Sequence, residues 1–125
     1  MRAILSLRVL SAPILALCLI APAAAQQRMP QHLQGFWDNA EDGCKSFHSE
    51  GRLIIKPNSI EPYESYCRVR SIASAGKNAW KIRARCGDID GSSTQTLQWR
   101  LTPDGRLDDD TGGAPYRRCE PAPKP

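Results

Sequence analysis

Two runs of alternating residues on either side of a glycine-containing turn constrain this chain more than any other feature. Apolar and polar side chains alternate through residues 66–70 and again through residues 80–86, a period of two that is typical of half-buried strands. Between the runs, Gly76 and Asn78 are residue types that tolerate the positive φ of a tight turn. The sequence therefore predicts an antiparallel hairpin that bends at Gly76 and Lys77.

The predicted register of this hairpin brings two cysteines together. A bend at Gly76 and Lys77 places Cys67 opposite Cys86, where a disulfide could form. The same count of residues places Val69 opposite Ala84, Ser71 opposite Ile82 and Ala73 opposite Trp80. One face of the hairpin is therefore expected to be apolar and to carry a covalent link.

The opposite, outer face of the hairpin is expected to be basic. The register places Arg68 opposite Arg85 and Arg70 opposite Arg83, with Lys81 beside them. Like charges directly across a ladder are destabilising, by up to about 1 kcal/mol per pair. One hypothesis is that this face binds an anion: a polyanionic glycan, a lipid phosphate or an acidic groove of another protein. The more usual interpretation of such a pattern is a solvated face that is neutralised by Glu61, Glu64 or the carboxylates of residues 108–110, since exposed ion pairs of that kind are common.

The N-terminal residues predict export. Arg2 and Arg8 accompany an apolar run over residues 9–20, and Ala23–Ala25 supplies the small residues of a cleavage site. This three-part pattern is typical of a secretory signal peptide, here residues 1–25. A membrane anchor is the alternative, but the run is shorter than the roughly 20 residues that span a bilayer. We expect a periplasmic or secreted protein whose mature chain has no transmembrane segment.

The predicted mature chain is long enough for one small domain. Residues 26–34 are expected to form a flexible leader, residues 35–119 a β-domain, and residues 120–125 a disordered Pro-rich tail. Because the signal peptide carries Arg2 and Arg8 and no acid, the net charge falls from +4 to +2 on cleavage. A charge this small does not indicate a nucleic-acid partner.

Four cysteines remain in the predicted mature chain, and a small exported domain is expected to join them in two disulfides. The hairpin register favours Cys67–Cys86, which leaves Cys44–Cys119 to join the first and last strands. The rival pairing, Cys44–Cys67 with Cys86–Cys119, stays open. A disulfide that closes a loop of roughly 20 residues stabilises a domain by about 3 kcal/mol in the chain-entropy model.

Short alternating segments separated by turns predict an all-β fold. We expect a small antiparallel barrel or sandwich of about six to eight short strands. Trp37, Trp80 and Trp99 are expected to anchor its core, because aromatic side chains bury the largest areas. Residues 44–48 are expected to form a short strand and residues 87–93 a loop. After the signal peptide, no stretch shows a sustained helical period.

The opening of the β-domain resembles a known kind of barrel. Gly35-Phe36-Trp37 is similar to the start of lipocalin- and avidin-like barrels, in which the Trp plugs the bottom. With its cysteine layout and terminal Tyr-Arg-Arg-Cys, the chain also resembles small exported bacterial proteins of unassigned activity. In plan it is similar to periplasmic inhibitor barrels that block lysozymes or secreted proteases. These resemblances imply a binding module, and they transfer no functional residue to this chain.

Patterns for metal binding and catalysis are weak. Asp88 and Asp90 form a fragment of a calcium loop without its later bidentate acid, and Cys44 with His48 offers too few ligands for zinc. No Ser–His–acid set, glycine-rich phosphate loop or Cys-x-x-Cys stands out. We expect no catalytic residue, no metal and no cofactor.

The predicted function is a non-enzymatic binding module of the bacterial cell envelope, anion-binding or inhibitor-like. Its partner is expected to be an envelope protein or a polyanionic glycan or lipid. The alternative is a small envelope enzyme that acts on a cell-wall or glycan substrate. Such an enzyme requires a concave pocket with convergent polar groups and an acid of perturbed pKa.

Overall fold

The computed structural model describes residues 28–125, so the predicted signal peptide lies outside the described residues. Eight antiparallel strands form a single sheet in this part of the chain. The strands are β1 (Gly35–Asp38), β2 (Arg52–Ile55), β3 (Ser59–Pro62), β4 (Tyr66–Ser74), β5 (Ala79–Asp88), β6 (Gly91–Leu101), β7 (Leu107–Asp108) and β8 (Arg117–Arg118). Two single-turn 3-10 helices, η1 (Gln31–Leu33) and η2 (Gly43–Lys45), flank β1. None of the helices in the described part is long and apolar enough to cross a membrane.

The sheet curls into a nearly closed barrel. Strands β1 to β7 are neighbours in sequence order, and β8 lies beside β1. Leu107 at the start of β7 and Tyr116 just before β8 exchange two backbone hydrogen bonds of 3.0 and 2.8 Å, which brings the two edges together. The predicted all-β fold is confirmed, and of the two predicted architectures it is the barrel. We call the end with the β5–β6 turn the mouth and the opposite end the base.

Residues 29–34 close the base of the barrel. Met29 and Leu33 are buried in the core, and the Trp37 indole Nε1 donates a hydrogen bond of 2.9 Å to the Leu33 carbonyl. The planar Arg118 guanidinium lies 4.3 Å from the centre of the Trp37 ring. Residues 29–34 thus belong to the packed domain rather than to a flexible leader, because two of their side chains plug the barrel.

The central hairpin, β4–β5, follows the predicted register only in its half nearer the mouth. Cys67 lies opposite Cys86 and Val69 opposite Ala84, as predicted. A β-bulge at Arg70 then shifts the ladder by one residue. The predicted pairs Ser71–Ile82, Ala73–Trp80 and Arg70–Arg83 are therefore wrong, and the observed pairs are Ser71–Arg83, Ile72–Ile82, Ala73–Lys81 and Ser74–Trp80.

The bulge has a simple cause in the spacing of apolar residues along β4. Val69 and Ile72 are both buried but stand three positions apart, an odd number that a regular strand would send to opposite faces. Because the bulge adds Arg70 as an extra residue, the side chain of Ile72 points into the barrel, and the charged side chain of Arg70 stays exposed. Ile72 can therefore pack in the core opposite Ile82.

Both predicted disulfides, Cys67–Cys86 and Cys44–Cys119, are present, which excludes the rival pairing. The first joins β4 to β5 across the ladder. The second joins η2 to the residue after β8. The first bond therefore links two strands of the barrel wall, and the second holds the segment of residues 39–51 against the outside of the barrel.

Residues 44–48 do not form the predicted strand. The N–H groups of Gly43, Lys45 and Ser46 each donate a hydrogen bond to the carbonyl three residues earlier, which winds this stretch into η2 and its flanking turns. Gly43 packs against the buried Asp38, so closely that a Cβ there would lie 1.9 Å from the carboxylate. The close approach requires glycine and holds the segment against the barrel.

Residues 87–93 do not form the predicted loop either. Strand β5 continues to Asp88 and β6 begins at Gly91, so only Ile89 and Asp90 connect them. Gly91 has φ +145°, a conformation that favours glycine, and Gly87 lacks the Cβ that would meet the Gly91 carbonyl at 2.8 Å. The two glycines make the tight hairpin possible.

Candidate functional site

Five cationic side chains lie on the outer surface of β4 and β5, and all are exposed. We call this surface the basic face; its members are Arg68, Arg70, Lys81, Arg83 and Arg85. Arg68 stands directly opposite Arg85, as predicted, whereas Arg70 lies in the bulge and Arg83 stands opposite Ser71. The same alternation that buries Ile82, Ala84 and Cys86 turns the cations outward.

The cations of the basic face have no ion-pair partner in residues 28–125. Two of the carboxylates that could have neutralised them are paired elsewhere. Glu61 binds Lys56 at 2.9 Å, and Asp108 binds Arg100 at 3.1 Å. The basic face therefore carries a positive charge that the described residues do not neutralise by ion pairs.

Hydrogen-bonding side chains run beside the cations on β6. The register of the two strands places Lys81 beside Gln98, Arg83 beside Thr96 and Arg85 beside Thr94. The three cations stand at alternate positions of β5 and span about 13 Å along the strand. An extended, negatively charged ligand would meet charge from β5 and hydroxyl or amide groups from β6.

A shallow groove lies at the mouth end of the basic face. Its volume is about 570 Å³, and its lining includes Tyr66, Arg85 and Ser92. The Arg85 Nη2 donates a hydrogen bond of 3.0 Å to the Ser92 hydroxyl, which fixes one wall. Tyr66 is 49% exposed, an unusual exposure for a large aromatic ring. The remaining side chains of the lining include Arg52, Glu64, Asp88 and the exposed Ile89. The groove thus combines two cations and two carboxylates with hydroxyls and an accessible ring.

A second concave region, which we call the mouth cavity, opens at the mouth of the barrel and has a volume of about 670 Å³. Apolar side chains line its inner part: Leu53, Ile60, Leu97 and Trp99. The Cys67–Cys86 disulfide forms part of its wall. Polar residues line the rim: Asp88, Asp90, Ser92, Ser93, Gln95, Asp109, Thr111 and Tyr116.

Sequence reasoning missed the mouth cavity, although β6 carries a signal for it. Inward positions of this strand change from Trp99 and Leu97 in the core to Gln95 and Ser93 towards the mouth. Their partners on β5 stay small or apolar, so the polar pair faces an unfilled space. A polar end on an otherwise apolar inner face indicates a barrel that water can enter.

One titratable group at the rim of the mouth cavity has a shifted pKa. Burial, followed by the negative charge of Asp109, raises the pKa of Tyr116 above its usual value of 10.0. Asp109 in turn accepts a hydrogen bond of 2.6 Å from the Thr111 hydroxyl. Tyr116 is therefore a neutral hydroxyl at physiological pH, able to donate one hydrogen bond and to accept others.

The weak metal patterns do not converge into a site. Cys44 is bonded to Cys119, and the Asp88 carboxylate accepts a hydrogen bond of 2.8 Å from the N–H of Asp90 within the tight β5–β6 turn. Across residues 28–125, no three His, Cys, Asp or Glu side chains come together as a metal site would require. The interpretation of Asp88 and Asp90 as a turn agrees with this geometry.

No family model matches this sequence, and no curated protein or solved structure is significantly similar to it. The function must therefore be argued from the site.

Proposed function

We propose that this protein is an exported, non-enzymatic binding module of the bacterial cell envelope that binds a polyanionic glycan on its basic face. The observation that carries the proposal is the set of five exposed cations without ion-pair partners in the described residues, two of them directly opposite each other. Two disulfides support export, because such bonds persist in oxidising compartments.

The surroundings of the basic face favour a glycan over a lipid headgroup. Sugar hydroxyls can hydrogen-bond to Thr94, Thr96 and Gln98, which lie beside the cations. The exposed ring of Tyr66 suits the less polar face of a sugar, since an aromatic side chain offers an apolar surface with a polar tip. A membrane-binding face would instead be expected to present several apolar side chains among its cations.

The enzyme alternative receives less support. The mouth cavity supplies the required concave shape, but the perturbed group at its rim is Tyr116, whose pKa is raised away from neutrality. General acid–base catalysis works best when the pKa lies near the operating pH. The geometry therefore favours binding over catalysis.

The proposal is tested by isothermal titration calorimetry of the oxidised domain with heparin, a sulphated polysaccharide, and with uncharged dextran. We expect heparin binding that weakens with added salt and no dextran binding, because screening shortens the reach of exposed charges. The double variant Arg83→Glu and Arg85→Glu should weaken heparin binding by about tenfold or more.

The matched control variant reverses Lys45 and Arg106, two exposed cations off the basic face, and changes the net charge by the same amount. It should bind heparin within about twofold of the wild type if the effect is local. Equal losses in both variants, or unchanged binding in the Arg83 and Arg85 variant, would contradict the proposal. Binding to phosphatidylglycerol vesicles without any heparin binding would contradict the glycan assignment.

A further inference from the structure

We infer a second binding site, in the mouth cavity, for a small amphipathic amine: an apolar body with a cationic head. The cavity adjoins the groove at the mouth end of the basic face, with which it shares Asp88 and Ser92, but its lining contains none of the five cations of that face. The inference does not depend on the function proposed for the basic face. Its volume of about 670 Å³ lies within the roughly 300–1,000 Å³ typical of small-ligand pockets, and barrel mouths are a common place for such pockets.

The inner part of the mouth cavity selects for an apolar body. Leu53, Ile60, Leu97 and Trp99 line it, and Leu53, Ile60 and Trp99 are almost completely buried within the core. A hydrocarbon chain or ring that enters would lose its own contacts with water and gain van der Waals contacts with these side chains, of which Leu97 is the most accessible. The removal of apolar surface from water favours such binding.

The charge of the rim selects the head group. Asp88, Asp90 and Asp109 line the cavity, and none of the three forms an ion pair in the described part of the chain. Among residues 28–125, no lysine, arginine or histidine belongs to the lining. This acidic rim attracts a cation and repels a carboxylate, so a fatty acid is disfavoured.

The rim also offers neutral hydrogen-bonding groups to the same head. The Tyr116 hydroxyl keeps its proton at physiological pH, and Ser93 and Gln95 point into the cavity from β6. An ammonium group carries several donors and no acceptor, so it can be shared between a carboxylate and these oxygens. The geometry thus supplies charge, acceptors and an apolar interior in one opening.

Three probes of equal chain length separate the contributions of the head and of the body. Decylammonium, decanol and decanoate are titrated into the oxidised domain by calorimetry at low salt, below their aggregation concentrations. We expect decylammonium to bind about tenfold or more tightly than decanol, and decanoate to bind more weakly than decanol. Equal affinity for all three, preference for decanoate, or no binding of any would overturn the inference.

Two variants locate the binding. The double change Asp90→Asn and Asp109→Asn should weaken decylammonium by about tenfold and leave decanol unchanged, because only the charge is removed. The control Asp42→Asn with Asp104→Asn removes the same charge at exposed positions outside the cavity lining. It should bind decylammonium like the wild type; a loss equal to that of the rim variant would overturn the assignment to the mouth.

The variant Gln95→Trp tests occupancy of the mouth cavity itself. A large ring at this exposed inner position of β6 should fill the opening and abolish binding of decylammonium and decanol alike. A circular-dichroism spectrum like that of the wild type shows that the variant is folded. Retained binding in the folded variant would overturn the inference.

Discussion

Arg68 and Arg85 stand directly opposite each other across β4 and β5, on the exposed side of the ladder. Neither forms an ion pair in the part of the chain that the structure describes. The free domain therefore contains an electrostatic repulsion that a bound anion would relieve. This relationship links stability to binding and gives the first prediction.

The change Arg68→Gln should stabilise the domain and weaken heparin binding. We expect the free energy of unfolding in urea to rise by about 0.2–1 kcal/mol at low salt, because a like-charge cross-strand pair is removed. The gain should shrink in 1 M NaCl, where the screening length is about 3 Å. Tryptophan fluorescence follows the unfolding.

Arg70→Gln is the matched control, because Arg70 lies in the bulge and has no residue directly opposite. It should leave the free energy of unfolding nearly unchanged while also weakening heparin binding. A destabilised Arg68→Gln domain, or an equal gain from Arg70→Gln, would contradict the cross-strand account.

Arg118 should be essential to the base of the barrel. Its guanidinium stacks on Trp37, and it donates a hydrogen bond of 2.8 Å to the Gln34 carbonyl and a second one to the His32 carbonyl. Arg118→Lys keeps the charge but loses the planar fork, so we expect a loss of about 2 kcal/mol in urea unfolding. The exposed neighbour Arg117, changed to Lys, should cost less than about 0.5 kcal/mol. Similar losses at the two positions would be inconsistent with this role.

The two disulfides should differ in their contributions to stability. The Cys44–Cys119 bond closes a separation of 75 residues and the Cys67–Cys86 bond one of 19. In the chain-entropy model these loops are worth about 4.5 and about 3 kcal/mol. Paired Cys→Ala variants, measured by urea unfolding, should show the larger loss for the Cys44–Cys119 pair. The reverse order would show that packing around the hairpin, rather than loop length, determines the difference.

Because of Tyr116, the free energy of unfolding should decrease at alkaline pH. Its pKa is raised above 10.0 in the folded domain, mainly by burial, so between pH 10 and the folded pKa the unfolded chain loses a proton that the folded domain keeps. Deprotonation therefore favours unfolding, and this contribution is complete below about pH 10 and is lost as the pH rises through the folded pKa. The stability difference between wild type and Tyr116→Phe, measured at pH 8 and pH 10.5, should shift against the wild type at the higher pH. An unchanged difference would contradict the shift.

Local patterns predicted the hairpin and the exposed positions of all five cations, and they favoured the two observed disulfides without excluding the rival pairing. The sequence also contains a signal for the bulge at Arg70. Val69 and Ile72 interrupt the alternation of apolar and polar residues along β4, whereas the alternation along β5 is regular. The base of the barrel was harder to predict. Met29 and Leu33 are isolated apolar residues in a polar stretch, and only the closed barrel gives them a core to enter.

The mouth cavity depends on contacts between distant segments. Whether the space in front of Ser93 and Gln95 is filled depends on the residues across the barrel, including Tyr116 before β8. The alternation of residues along one strand does not predict how far apart the opposite walls of the barrel lie. The absence of ion pairs at the basic face was equally hard to predict, because the sequence alone could not show that Glu61 and Asp108 are paired with other cations.

The most direct test of the account is a ¹⁵N NMR titration of the oxidised domain with a heparin hexasaccharide. If the basic face binds the polyanion, the largest amide shift changes will occur at Arg68, Arg83 and Arg85 and at Thr94 beside them. Shift changes confined to the base or to the rim of the mouth cavity, or no changes at any amide, would contradict it.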